Sequence, residues 1–213
     1  MFLRIVLPIV RWLFSLLTHW ELVGRENLPL QGPYMLVTNH LSAFDPPLVG
    51  AVLGNPNVTV FAAAKHSTGL FGWILRQAGA IFVHRGEVDR AALRQALQVL
   101  ESGGILGVAP EGTRSLTKTM QRGKTGAAYL ALRTGVPLIP VGVIGTDKLV
   151  NDLKHLRRGH LRVVIGQPFT LPVPEKRTPE VLQELTDLIM VRIAELLPDE
   201  YRGVYSNDTN RSH

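Results

Sequence analysis

The chain has 213 residues, enough for one domain with a full hydrophobic core and a small appendage. Apolar residues make up 46% and charged residues 19% of the composition, which excludes an intrinsically disordered chain. With no cysteine, the chain has no disulfides, thiolate zinc sites or cysteine nucleophile, and it suits a reducing compartment. A net charge of +6 and a mean hydropathy of +0.13 favour an anionic or apolar partner: a lipid surface, an acidic substrate or nucleic acid.

The first segment, residues 1–19, contains the apolar stretch FLRIVLPIVRWLFSLL, which is shorter than the roughly 20 residues of a membrane-spanning helix. On a helix, its polar face would consist of Arg4, Pro8, Arg11, Ser15 and Thr18. A narrow basic face on a wide apolar body is typical of an amphipathic helix in the membrane interface, and we predict a membrane-association helix over residues 1–19. The alternatives are a helix that covers a soluble core, a true membrane span, or a secretory signal, for which a small-residue cleavage site is lacking.

From residue 20 to residue 198, short apolar runs alternate with helical patterns. The runs at 34–38, 58–62, 80–83, 104–109, 138–144 and 161–165 are predicted to be strands. Helices are predicted at 87–102, at 126–134 and from 178 onward. This alternation indicates a layered α/β domain over residues 20–198 with a largely buried sheet. The polar residues 199–213 are predicted to form a flexible tail.

One predicted strand ends at Asn39 and His40, and Asp45 follows before two prolines. Ligands of open α/β sheets bind beyond the carboxyl ends of strands, so His40 is well placed for chemistry. The two side chains would not face each other on one helix, but a curved loop over residues 41–44 would bring them together. Asp45 would then bind one imidazole nitrogen while the other removes a proton from a hydroxyl. In the structural alternative, Asp45 caps a helix and the histidine is an ordinary one.

Three basic residues follow predicted strands: Lys65 after VTVFAA, Arg85 after AIFVH, and Arg114 within VAPEGTRS. Because the carboxyl ends of parallel strands meet at one edge of a sheet, we expect these cations near the histidine, where they would bind phosphate. The small residues Gly112 and Thr113 would let the backbone approach a ligand. The alternative is a set of unrelated surface cations on a basic protein.

Taken in order, these motifs resemble those of the glycerolipid acyltransferase family typified by 1-acyl-sn-glycerol-3-phosphate acyltransferase. The pattern NHx4D stands at 39–45, Gly-x-x-Phe-x-x-Arg at 79–85, Pro-Glu-Gly-Thr-Arg-Ser at 110–115 and Val-Pro-x-x-Pro-Val at 136–141. The resemblance covers roughly residues 20–170. Two positions depart from the family pattern, since His84 replaces the usual acidic residue and Ala109 replaces the usual aromatic residue.

The resemblance implies a layered α/β acyltransferase domain with a mostly parallel mixed sheet flanked by helices. It also implies transfer of a fatty acyl group from acyl-CoA or acyl-ACP to 1-acyl-sn-glycerol 3-phosphate, giving phosphatidic acid, with His40 as the general base and Asp45 as its orienting partner. The implied substrate-binding residues are Lys65, Arg85, Glu111, Gly112, Thr113 and Arg114. We expect no cofactor and no metal, and direct attack on the thioester, because no G-x-S-x-G elbow, HExxH spacing or cysteine is present.

Two other functions are compatible with the sequence. The acceptor could be another lyso-lipid or glycerol 3-phosphate, and a non-catalytic module could bind anionic lipid or nucleic acid through the cations alone. Nucleic acid is disfavoured because aromatic residues are only 7% and lie mostly in predicted core runs. The expected partners are therefore a lysophospholipid acceptor, acyl-CoA or acyl carrier protein, and an anionic membrane surface. The expected location is peripheral, on the cytoplasmic face of the cell membrane.

Overall fold

The computed structural model describes residues 2–84 and 89–206. Its strands are β1 Thr18–Val23, β2 Tyr34–Thr38, β3 Val58–Ala63, β4 Ile81–Val83, β5 Ile105–Val108, β6 Leu138–Ile144 and β7 Gly159–Ile165. Its α-helices are α1 Phe2–Leu17, α2 Asp45–Leu53, α3 Gly69–Gln77, α4 Arg90–Glu101, α5 Gly126–Thr134, α6 Leu149–Lys154, α7 Pro179–Ala194 and α8 Asp199–Arg202.

The strands form one sheet in the order β1-β7-β6-β2-β5-β3-β4. Strands β2 to β6 run parallel, whereas β7 is antiparallel to β6 and parallel to β1. The mostly parallel mixed sheet flanked by helices is therefore confirmed. We call the edge at which β2 to β6 end the carboxyl edge. Because β1 and β7 run the other way, their first residues, Thr18 and Gly159, lie at this edge too.

Helices cover both faces of the sheet, which explains why the central strands are apolar along their whole length. The strands β2 and β6 are buried at nearly every position, as expected for parallel strands between two layers of helices. One core packs α4, α5 and α7 against the sheet, and the other packs α1 and α2 against the opposite face. This layering leaves the carboxyl edge as the place where loops from β2, β5 and β6 meet.

The six predicted strands are present, but β1, α3 and α6 were not predicted. Strand β1 begins at Thr18, and it was missed because a helix was predicted to extend to residue 19. Thr18 was assigned to the polar face of the helix, yet it is buried, and its hydroxyl donates to the carbonyl of Phe14 at 2.6 Å. The helix predicted at 87–102 begins at Arg90, because Asp89 caps it by accepting from the backbone N–H of Ala92.

The N-terminal helix α1 has two apolar faces. One face packs on α2 and buries Phe14. The other face leaves large apolar side chains exposed to solvent, namely Ile5, Ile9, Trp12, Leu13, Leu16 and Leu17. The helix therefore does cover part of the core, and it also presents an unpartnered apolar surface. Within the described part of the chain, no helix combines the length and apolarity needed to cross a bilayer.

The predicted flexible tail, residues 199–213, needs correction, because residues 199–206 pack on the core. Tyr201 and Tyr205 are both buried. The hydroxyl of Tyr205 donates to Asp187 Oδ1 at 3.0 Å and accepts from the backbone N–H of Gly123 at 3.1 Å. Two buried aromatic rings outweigh the polar residues around them, which is why composition alone misread this segment. Residues 207–213 lie outside the described part of the chain.

The substitution Tyr205→Phe tests this packing. It keeps the ring but removes both hydrogen bonds of the hydroxyl, so we expect the free energy of unfolding to fall by about 1–2 kcal/mol in urea denaturation. Tyr129→Phe is the matched control, since Tyr129 is 37% exposed. An equal free energy of unfolding in both variants would contradict a structural role for the tail.

Candidate functional site

The site begins where β2 ends, and Asn39 holds the chain there. Asn39 is fully buried. Its side-chain Nδ2 donates to the carbonyl of Val143 at 2.9 Å, and its Oδ1 accepts from the N–H of the same residue at 2.8 Å. The amide thus imitates strand pairing with β6 after the backbone has left the sheet. As a result, the next residue, His40, is presented at the carboxyl edge.

His40 and Asp45 meet through the curved loop. The imidazole Nδ1 lies 2.8 Å from Asp45 Oδ2, and the same oxygen accepts from the backbone N–H groups of Leu41 and Ser42 at 2.7 and 2.8 Å. Asp45 is the first residue of α2, but its carboxylate points back into the loop and makes no capping hydrogen bond to the helix. The capping alternative is therefore wrong.

The second carboxylate oxygen of Asp45 also has a partner, which the sequence did not reveal. Thr146, just beyond the end of β6, donates its hydroxyl to Asp45 Oδ1 at 2.5 Å. Both residues are 1% exposed. A carboxylate oxygen accepts hydrogen bonds, so all four contacts are satisfied when the histidine carries its proton on Nδ1. In the sequence, the only signal for the role of Thr146 was that a hydroxyl residue follows an apolar strand and Gly145.

The other imidazole nitrogen, Nε2, has no hydrogen-bond partner among residues 2–84 and 89–206. The side chain of His40 is 16% exposed and lines a cavity of about 980 Å³. A neutral imidazole with its proton on Nδ1 carries a lone pair on Nε2. The arrangement can therefore accept a proton from a group bound in the cavity.

The turn at residues 111–115 holds the backbone of His40 on both sides. Glu111 Oε1 accepts from the backbone N–H of His40 at 3.0 Å, and the N–H of Ser115 donates to the carbonyl of His40 at 2.8 Å. Glu111 Oε2 accepts from the N–H of Gln121 at 3.0 Å. Since Glu111 is 2% exposed and both its oxygens bind backbone, it acts inside the protein and not on the cavity surface.

Gly112 lines the cavity beside this turn and needs the conformational freedom of glycine. Its φ is +69°, in the left-handed region that side chains disfavour. A Cβ atom there would also come within 3.0 Å of Cδ of Lys124, whose side chain passes over the glycine. Thr113 beside it is half-buried. A glycine at this point therefore leaves room for the side chain of Lys124 at the cavity wall.

Two of the three predicted cations, Lys65 and Arg114, do not line the cavity. Lys65 is exposed in the short 3-10 turn Ala64–His66 after β3, and Arg114 is exposed. Neither lines the cavity, and Arg85 lies outside the described residues. The Lys and Arg side chains that do line it, within the described ranges, are Arg90, Arg94 and Lys124. Those same ranges contain no group of three or more His, Asp or Glu side chains that could hold a metal ion.

The rest of the cavity wall comes from both faces of the sheet. On the α1 and α2 face, the wall contains the apolar side chains of Leu3, Val6, Leu7, Val10, Val49 and Leu53. On the α4 and α5 face, apolar side chains such as Leu93 and Leu97 alternate with the cations. We call these two regions the apolar arm and the cationic arm. A long hydrocarbon fits the first, and an anion fits the second.

The comparisons with known proteins agree on one family. The Acyltransferase family model matches residues 7–144. The chain is 31% identical over 196 residues to 1-acyl-sn-glycerol-3-phosphate acyltransferase of Saccharomyces cerevisiae, covering 89% of this chain and 63% of that protein. It is also 31% identical over 159 residues to lyso-ornithine lipid O-acyltransferase of Pseudomonas aeruginosa, covering 68% of this chain. The chain thus spans only 63% and 60% of the lengths of these two relatives.

A solved structure shows the same architecture. The crystal structure of the 1-acyl-sn-glycerophosphate (LPA) acyltransferase PlsC from Thermotoga maritima matches with a TM-score of 0.69 and 25% sequence identity. The match covers 88% of this chain and 76% of that chain.

The burial of Glu111 gives a prediction about pH. Burial raises the pKa of this carboxyl group to about 7, against the opposing effect of the hydrogen bonds from Gln121 and His40. The folded state therefore binds a proton more tightly than the unfolded state, so the free energy of unfolding should fall as pH rises from about 4.5 to about 7. The loss attributable to this group is on the order of 3 kcal/mol.

Glu111→Gln, which does not titrate, should lack this pH dependence. It should also lose a roughly constant 1 kcal/mol at every pH, because an amide N–H₂ cannot accept from a backbone N–H. Urea denaturation of both proteins at pH 4.5, 6 and 8 measures the difference. If the two stability profiles run parallel over this range, the pKa of Glu111 is not raised.

Proposed function

We propose that this chain, which belongs to the acyltransferase family, moves a fatty acyl group from a thioester to the free hydroxyl of 1-acyl-sn-glycerol 3-phosphate, giving phosphatidic acid. The observation that carries the proposal is the imidazole of His40, bound through Nδ1 to a fully hydrogen-bonded carboxylate and lining a cavity through its other side. The donor is acyl-CoA or acyl carrier protein, since both present the acyl group as a thioester.

The chemistry follows from the position of the two nitrogens. Nε2 of His40 takes the proton of the acceptor hydroxyl as its oxygen attacks the thioester carbonyl. A carbon–oxygen bond forms, and the carbon–sulfur bond breaks when the tetrahedral intermediate collapses. The leaving thiolate takes the proton from Nε2, which restores the neutral histidine. Asp45 stabilises the transient imidazolium and keeps the ring oriented throughout.

The apolar arm supports a lipid substrate. Its wall is built by α1, α2 and the strand β3, and it adjoins the region that His40 lines. An acyl chain bound there would be removed from water, and no polar group would have to be buried with it. We assign binding of the acceptor phosphate to the cations that follow β3, β4 and β5, namely Lys65, Arg85 and Arg114. Gly112 and Thr113 would contact the acceptor. Glu111 would shape the pocket through its hydrogen bond to the backbone of His40.

A second candidate function is acyl transfer to another lyso-lipid. It is favoured by two positions that depart from the family pattern, His84 and Ala109, because both line the cavity. One relative also carries the name of a lyso-ornithine lipid O-acyltransferase. A non-catalytic lipid-binding module, by contrast, would have no use for the hydrogen-bonded pair of His40 and Asp45.

We further propose that the carboxyl edge binds an anionic membrane surface at the cytoplasmic face of the cell membrane, without spanning the bilayer. The exposed apolar side of α1 ends at this edge, where Leu16 is 57% exposed. Beside it, Leu156 is 98% exposed with a left-handed φ of 54°, and the basic residues Arg157 and Arg158 follow. Arg158 donates to the carbonyl of Thr18 at 2.9 Å, which ties this loop to the end of α1. Exposed apolar groups flanked by arginines suit a bilayer interface.

The double variant Leu16→Gln, Leu156→Gln tests this surface. Removing two exposed apolar groups should lower binding to vesicles containing anionic phospholipid by at least about ten-fold in a sedimentation assay. The matched control is Leu30→Gln with Val173→Gln, since these residues are 98% and 80% exposed and lie near the opposite edge of the sheet. Equal vesicle binding by the two double variants would place the membrane contact elsewhere.

The variant His40→Ala tests the reaction itself. We expect purified protein in detergent to acylate lysophosphatidic acid with an acyl-CoA, and the variant to be about a hundred- to ten-thousand-fold slower because the general base is missing. His155→Ala is the matched control, because His155 is exposed and its ring Nδ1 contacts only the carbonyl of Asn151 within the described chain. Lyso-lipids with other head groups are assayed in parallel.

The possible outcomes separate the candidates. Acylation of another lyso-lipid but not lysophosphatidic acid, with the same loss in His40→Ala, would support the second candidate function. A His40→Ala variant as active as the His155→Ala control would remove the histidine from the mechanism.

A further inference from the structure

Three cations in the cationic arm are not used by the reaction described above. Arg90 and Arg94 lie on α4, and Lys124 lies just before α5. All three line the cavity, and none of them forms an ion pair within the described residues. All three are exposed to solvent at the mouth of the cavity, where charged side chains that are not paired within the protein can bind an anionic ligand.

The acidic side chains of the cavity wall are already occupied. Within the described residues, Asp45 and Asp89 are the carboxylates that line it. Asp45 is held by four donors near His40. Asp89 caps α4, where it accepts from the backbone N–H groups of His84 and Ala92 at 3.0 and 2.9 Å. Within the described residues, neither carboxylate forms an ion pair with Arg90, Arg94 or Lys124.

The three cations come from two places in the cavity wall. Arg90 and Arg94 are four residues apart on one helix, which separates them by about 6 Å along its axis on the same side. Lys124 stands next to the turn at 111–115, because its backbone N–H donates to Pro110 at 2.8 Å and its side chain covers Gly112. Lys124 is therefore close to the turn that holds the backbone of His40, whereas the arginines lie on the helix that follows β4, the edge strand three strands away from β2.

The separation of the two arginines from the end of β2, where His40 lies, suits the donor better than the acceptor. The phosphate of a lysophosphatidic acid is only a few bonds from the hydroxyl that reacts, so it needs cations that converge on one point. A thioester donor instead carries its phosphates at the far end of an extended pantetheine arm. We propose that Arg90 and Arg94 bind the phosphate groups of the acyl donor, a role that rests on the proposed acyl transfer. Coenzyme A and the phosphopantetheine of a carrier protein share this chemistry.

The test is the double variant Arg90→Gln, Arg94→Gln. With palmitoyl-CoA and with S-palmitoyl-phosphopantetheine, KM should rise by about ten- to a hundred-fold, because each arginine makes a charged hydrogen bond to phosphate. The KM for S-palmitoyl-pantetheine, which has no phosphate, and the KM for lysophosphatidic acid should stay within about two-fold. Arg133→Gln on α5 is the matched control, since Arg133 is exposed and does not line the cavity.

The donor arms of the assay distinguish the two sources of phosphate. A KM increase with palmitoyl-CoA would show that the two arginines bind coenzyme A. An increase confined to palmitoyl carrier protein and palmitoyl-phosphopantetheine would show that they bind the carrier-bound phosphate. An increase only in the KM for lysophosphatidic acid would show that the two arginines bind the acceptor, and it would overturn the proposal. An equal increase with the phosphate-free thioester, or no change with any donor, would overturn it as well.

A binding measurement separates this proposal from the proposed reaction. Isothermal titration calorimetry with coenzyme A itself needs no acyl transfer. If the wild type showed no transfer yet bound coenzyme A, and the double variant bound it at least ten-fold more weakly, the reaction would fail while the phosphate site stood. If the wild type transferred acyl groups, and the double variant bound coenzyme A equally well and kept its KM for palmitoyl carrier protein, the reaction would stand and the phosphate site would fail.

Discussion

The structure of the site depends on a buried carboxylate, that of Asp45. Removing a carboxylate from water is very unfavourable unless hydrogen bonds replace its hydration. Asp45 receives four of them, from the ring of His40, from two backbone N–H groups of the loop and from the hydroxyl of Thr146. Satisfying this one charge therefore fixes the loop after β2, the residue after β6 and the orientation of the histidine at the same time.

The backbone of His40 is held as firmly as its side chain. Asn39 anchors the chain to β6 on one side, and the turn after β5 supplies an acceptor through Glu111 and a donor through Ser115 on the other. The three strands concerned, β2, β5 and β6, are neighbours at the centre of the sheet. The proposed role of His40 as a general base requires such rigid support, because proton transfer needs its nitrogen within hydrogen-bond distance of the substrate hydroxyl.

The helix α1 connects this rigid centre to the surface. Its packed face helps to line the apolar arm, and its other face exposes Trp12 and Leu16. A single helix therefore bounds the cavity on one side and presents apolar side chains to solvent on the other, where we have proposed a membrane contact. The two faces also explain why α1 looks like a membrane helix in sequence while it covers part of the core.

The amino-acid sequence by itself determined the layered α/β arrangement, because apolar runs and helical periodicity record which residues are buried. It also determined the order of the motifs around His40 and Asp45, since these residues are close along the chain. Only the tertiary structure decided that Thr146, 101 residues from Asp45, completes the site. It likewise brought Arg90, Arg94 and Lys124 into the cavity wall where Lys65 and Arg114 had been expected. Burial of Tyr201 and Tyr205 turned part of a predicted tail into packed structure. The spacing of apolar residues along the chain determines whether a segment forms a helix or a strand, whereas contacts between distant residues depend on how these elements pack.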